Sequence, residues 1–167
     1  MNLTGLLLQD EVPYWSARIL SQAIEDGVVE DTAKNLQQLA QAWQLSQEVD
    51  RAIEAYERAS AKSDDGELAY RLAQLYLDKD ECESSIDAAN RALDKGGLKN
   101  EAQVLLVKGM CQFNLNRHAD AIETFNRGQR IARRGDFETD LKSLTQWKRY
   151  VENEQKRNEQ LARAARD

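Results

Sequence analysis

Small and apolar residues recur at fixed intervals along most of this chain. Residues 33 to 65 carry Leu39-Ala40, Trp43, Ala52, Tyr56 and Ala59, and residues 66 to 101 carry Leu72-Ala73, Tyr76, Ser85, Ala89 and Ala92. Residues 102 to about 135 carry Gly109, Ala121, Phe125 and Gly128. In each segment a small residue stands at the eighth place, another follows twelve later, a further residue four on, and a small one three beyond that. The segments start at 33, 66 and 102, intervals of 33 and 36 residues. Steps of three and four stay on one helix face, so each segment reads as two antiparallel helices that approach closely at their small residues. Past Gly135 the repeat stops, and Phe137, Leu141, Leu144, Trp147 and Val151 predict one long amphipathic helix that covers the last segment's apolar edge. Residues 152 to 167 hold a single large apolar residue, Leu161, and are expected to project or fray.

This pattern resembles the tetratricopeptide repeat (TPR), a helix-turn-helix unit of about 34 residues. The resemblance implies an all-α fold, a right-handed solenoid of antiparallel helix pairs with a long C-terminal capping helix. Its units would be a partial one at 1–32, full ones at 33–65, 66–101 and 102–135, and the cap at 136–167 with a polar tail after about 151. Two features depart from the family. Asp64, Gly97 and Arg133 stand where the unit usually ends in proline, and Gln112 holds the aromatic eleventh place of the third unit. Run backwards, the register puts Ser16, Leu20 and Ala23 on a second helix, Pro13 at its start, and Leu3, Thr4 and Leu7 at the end of a first helix whose beginning is missing. A solenoid needs a polar terminal cap, so the chain is expected to be the C-terminal portion of something longer.

Composition agrees with helices. One proline and eight glycines in 167 residues are too few for the tight turns of a sandwich or barrel, and 41% apolar with 31% charged residues argues against disorder. The apolar run near Met1 is too short for a signal peptide or a membrane span. Cys82 and Cys111 are too few for a disulfide framework and lack neighbours at metal-ligand spacing. The one histidine, His118, reads as a solvent-facing turn residue without a nucleophile beside it. Asp64-Asp65 and Asp78-Lys79-Asp80-Glu81 lack the spacing of a calcium loop and read as solvated turns. No phosphate-binding or metalloprotease motif occurs. A non-enzymatic protein is expected, with no cofactor, no metal and no small-molecule substrate.

Charge is unevenly spread. The net of −6 divides into −10 over residues 1–126 and +4 over 127–167. Arg127, Arg130, Arg133 and Arg134 form a basic patch near the end of the last repeat. The acidic body disfavours nucleic acid, and cations near a helix C-terminus are favoured on their own account. A cytoplasmic regulatory module that binds nucleic acid or an acidic partner through this end remains the alternative reading.

The resemblance also implies where a partner binds. Family geometry lines the concave face with the second, fifth, ninth, twelfth and thirteenth places of each unit. In this sequence those include Lys34, Gln37, Gln41 and Gln44, then Tyr70, Gln74 and Leu77, then Gln103, Leu106, Met110, Phe113 and Asn114. Leu106, Met110 and Phe113 would anchor a peptide or helix, unless the C-terminal helix buries them. The clamp with which some TPR domains hold chaperone carboxylates is missing, because its places hold Gln37, Gln41, Asp78, Gln103 and Val107. Asn35 to Gln44, Ser63 to Leu68, Ala92 to Lys99 and Gln146 to Gln155 resemble bacterial TPR proteins encoded beside TonB/ExbB/ExbD systems. That likeness implies a scaffold for TonB, ExbB or ExbD components in nutrient or iron uptake, periplasmic as part of a longer membrane-associated protein, or cytoplasmic if the chain is full length. The truncated N-terminal end, with Trp15 near it, offers a homodimer contact.

Overall fold

The structure is a computed structural model and describes residues 13–164. Among these residues there are eight helices and no strand: α1 (Pro13–Glu25), α2 (Ala33–Leu45), α3 (Val49–Lys62), α4 (Glu67–Asp78), α5 (Cys82–Lys95), α6 (Glu101–Asn114), α7 (His118–Arg134) and α8 (Glu138–Ala164). Each helix packs against its neighbours in sequence. In addition α4 touches α6 and α6 touches α8, so alternate helices lie side by side along one face of a solenoid. Leu3, Thr4 and Leu7 lie outside the described residues.

The small residues sit where helices meet. Ala40, Ala52, Ala59, Ala73, Ser85, Ala92 and Ala121 are all fully buried. A Cβ on Gly109 would lie 2.4 Å from the Phe125 ring, so only glycine lets α6 and α7 approach across that ring. Ser85 is polar yet fits, because its hydroxyl donates to the Ala73 carbonyl at 2.7 Å.

Helix ends follow from local chemistry. Thr32 caps α2 by accepting from the Asn35 N–H at 3.2 Å, and Asn100 caps α6 by accepting from the Ala102 N–H at 3.0 Å. Asp65 accepts from the Glu67 N–H at 3.1 Å at the start of α4, so this acidic turn serves a helix end. The other acidic turn holds a cation of its own chain: Lys79 Nζ lies 2.7 Å from both Asp50 and Glu81. Gly96 and Gly97, with φ of 68° and 65°, end α5 where the family has proline. The Gly96 carbonyl accepts from the Gly66 N–H at 2.8 Å, and Lys95 Nζ donates to the Ser60 and Ser63 carbonyls at 2.6 Å each, closing the end of α3.

Leu144 and Val151 of α8 are fully buried against α6 and α7, and Asp140 accepts from Asn100 Nδ2 at 2.7 Å. Of the two outcomes expected after Val151, projecting or fraying, the described residues show the first. The helix continues to Ala164, supported by Lys148–Glu152 and Glu154–Arg157 pairs one turn apart, and is exposed from Lys156 onward.

Candidate functional site

Helices α2, α4 and α6, of which α4 and α6 lie side by side, carry the residues assigned to the concave face. Lys34, Gln41, Gln44 and Asn114 are exposed, whereas Gln37, Tyr70, Gln74, Leu77 and Gln103 are half-buried. Tyr70, Gln74 and Gln103 form a chain: Gln74 Nε2 donates to the Tyr70 oxygen at 3.0 Å, and the Tyr70 hydroxyl donates to Gln103 Oε1 at 3.3 Å. Burial pushes the Tyr70 hydroxyl above its ordinary value, so it stays protonated and able to donate. A groove of about 300 Å³ runs beside this chain, lined by Gln44, Arg71, Gln74, Leu75, Leu77, Asp78 and Val107. Arg71, Leu75 and Val107 stand outside the family register for this face, and of these Arg71 is the polar one, donating to Gln74 Oε1 at 3.4 Å.

Leu106, Met110 and Phe113 are neither free nor fully covered. They are half-buried in a cluster with Leu141, Leu144 and Trp147, because α8 occupies the place that the first helix of a further unit would take. Phe113 lies at the centre of an aromatic corner. Its ring centroid is 5.3 Å from Tyr150 and 6.1 Å from Trp147, and Trp147 meets Tyr150 edge-on at 6.0 Å. His118 stacks on the Phe113 ring at 5.4 Å and 20°. It is therefore a half-buried first residue of α7, not the solvent-facing turn residue expected, because Phe113, five residues earlier across the turn, gives its ring a surface to cover. Tyr150 is 49% exposed and lines an opening of about 290 Å³ with Gln146 and Trp147. The apolar periodicity marks Trp147 as core, whereas Tyr150 falls outside it and is signalled only by its place one turn from Trp147.

Arg127, Arg130, Arg133 and Arg134 are all exposed on α7. Arg127 and Arg130 share a groove of about 270 Å³ with Lys108, Asp120 and Glu123, so two of the four stand among acidic groups. Cys82 and Cys111 are free thiols, and no group of His, Cys, Asp and Glu among the described residues could hold a metal ion. No helix among the described residues is long and apolar enough to cross a membrane.

A tetratricopeptide repeat family model matches residues 38–100 and again 70–136, the span in which the helix pairs and buried small residues repeat. The chain belongs to the tetratricopeptide repeat family. The fold of this TPR chain is similar to that in the crystal structure of MamA, at a TM-score of 0.65 and 14% identity over 96% of this chain and 98% of that one. It is also similar to the TPR2B domain of yeast Sti1 in its complex with pHsp70, at a TM-score of 0.65 and 15% identity over 73% and 97% of the two chains. A third likeness is to pilF of Pseudomonas aeruginosa, at 0.60 and 15% identity over 89% and 73%. At such identities the likeness concerns the fold alone. No curated protein sequence matches the chain. TPR proteins generally mediate protein–protein interactions, and the family is typically a non-enzymatic module that presents an extended concave surface.

Proposed function

We propose that this TPR chain is a non-enzymatic scaffold that holds a protein or peptide partner along α2, α4 and α6, and that it serves a TonB-type nutrient or iron uptake system. The observation that carries the scaffold reading is the aromatic corner. Phe113, Trp147 and the half-exposed Tyr150 end a face of amides and the Arg71 side chain, so amides orient a partner while aromatic area supplies contact energy. The TonB assignment rests on the four sequence stretches named above, and with it goes a periplasmic location within a longer membrane-associated protein. The clamp positions hold no cation here, and Val107 is buried in the core. A partner that relies on a terminal carboxylate is therefore disfavoured. Trp15, 59% exposed on α1, is the proposed contact for a homodimer.

Affinity capture with the periplasmic portions of TonB and ExbD tests the assignment. Binding is expected, weakened at least tenfold by Tyr150→Ala and by Gln74→Ala. Failure of both proteins to bind removes the TonB assignment and leaves the scaffold. Binding that neither substitution changes removes the proposed face. Sedimentation of the Trp15→Ala variant checks the dimer, and fractionation of cells producing the full gene product checks the compartment.

A further inference from the structure

Two groups play no part in the proposed binding face. Cys82 is the first residue of α5 and Cys111 lies within α6, 29 residues later. They share one small buried cluster with Ile86, roofed by Leu77 and Leu115. Their access to solvent differs. Cys111 is fully buried, whereas Cys82, 4% exposed, lines an opening of about 450 Å³ with Asp80, Phe113, Asn114 and Asn116. Asn114 Nδ2 donates to the Cys82 sulfur at 3.6 Å, at the edge of that opening. Burial pushes the Cys111 thiol up to about 12, the Ser85 hydroxyl pulls against it, and the neighbouring Cys82 adds to the rise. A buried thiol held protonated is inert toward external oxidants, so any reaction starts at Cys82.

We propose that Cys82 and Cys111 are a redox-active dithiol, converted by a small disulfide of the glutathione type into a bridge between α5 and α6. In the first step Cys82 gives up its proton and its sulfur attacks one sulfur of the external disulfide. That S–S bond breaks, one half leaves and takes up a proton, and the other half stays bonded to Cys82. In the second step Cys111 loses its proton, bonds to the Cys82 sulfur and expels the second half as a thiol. Two cysteines are oxidised with loss of two hydrogens, and the external disulfide is reduced to two thiols. Capping Cys82 also removes the neighbouring thiol that helps to hold the Cys111 proton, while the Ser85 hydroxyl stays in place. The bridge ties the second helix of one repeat to the first helix of the next, under Phe113 and Asn114.

The test incubates the folded chain with oxidised glutathione and reads intact mass, free thiols and melting temperature. The expected product is a monomer lighter by two hydrogens, with no free thiol, no glutathione adduct, and a higher melting temperature that dithiothreitol reverses. Cys111→Ser is expected to keep one glutathione on Cys82, because nothing expels it. Cys82→Ser is expected to leave Cys111 unmodified while folded. The proposal is overturned if both wild-type thiols remain free after prolonged exposure, or if the wild-type chain ends as a glutathione adduct. The wild-type readout decides between these outcomes without the variants.

Discussion

Gln47, Asp80 and Asn116 occupy the same place in three successive turns, with φ of 62°, 59° and 59°. Each ends the first helix of its repeat with the same two bonds. The N–H of the positive-φ residue donates to the carbonyl three back, and the next N–H donates to the carbonyl five back, as in Gln47 to Gln44 at 3.0 Å and Glu48 to Trp43 at 2.9 Å. A left-handed backbone costs an L residue about 1–2 kcal/mol, and Asn and Asp offset part of that by local hydrogen bonding. Gln47 lacks that advantage. Gln47→Gly is therefore expected to stabilise the chain by about 0.5–1 kcal/mol after the extra unfolded-state entropy of glycine, and Asn116→Gly by less. Urea unfolding midpoints check this, and a lower midpoint for Gln47→Gly would refute it. Gly109→Ala has the opposite sign. Its methyl would sit 2.4 Å from the fully buried Phe125 ring, so a loss of about 1–3 kcal/mol is expected in the same assay.

Between helices, the links are long in sequence and mostly polar. Arg91 of α5 grips Glu57 of α3 with two bonds of 2.8 and 2.9 Å, and Arg117 grips Glu83 at 3.2 and 2.6 Å, each spanning 34 residues. The Arg91 guanidinium holds the Glu57 carboxyl below its ordinary value against the opposing effect of burial, with help from the Tyr76 hydroxyl. A depressed carboxylate contributes stability that is complete above its unfolded value of about 4.3 and lost as pH falls through its folded value. The stability gap between wild type and Arg91→Gln should thus be constant near neutrality and close below about pH 4. A gap that persists unchanged at acid pH would show that Arg91 acts by packing instead. Lys95→Met should lose about 1 kcal/mol, because two carbonyls at the end of α3, one of them on the buried Ser60, lose a charged donor. These links were illegible in the sequence. Alanine, serine or glycine at the eighth and twentieth places announces itself, since close helix contact restricts the residue type at that very position. A lysine that reaches back 35 residues, or a tyrosine that completes an aromatic corner, obeys no local rule. Gly96-Gly97 was legible as a helix stop, but the Gly66 N–H that uses its carbonyl was not.

Across the whole molecule the apolar interior is divided. One cluster runs from α1 to α6, a second joins α6, α7 and α8, and the two cysteines lie in a small third one between α5 and α6. The second cluster depends on α8, which supplies its fully buried Leu144 and Val151. In a solenoid each repeat touches only its neighbours, so stability approximates a sum of local terms and damage spreads one neighbour at a time. Leu144→Ala removes a side chain packed over Gly128 and is expected to cost about 2–5 kcal/mol. If the coupling is local, that cost falls unevenly: amide hydrogen exchange should accelerate throughout α6, α7 and α8, while protection in α2 and α3 stays close to wild type. Equal loss in all helices would instead mean that the chain opens as one unit and that the two clusters are a single core. The same experiment locates the face proposed to bind a partner. Phe113 and Trp147 belong to the α8-dependent cluster, whereas Tyr70 and Gln74 stand on α4, outside it. Leu144→Ala should then loosen the aromatic corner and leave the amide end of the face in place. A partner that needs the corner would bind less well to this variant even where the rest of the solenoid remains folded.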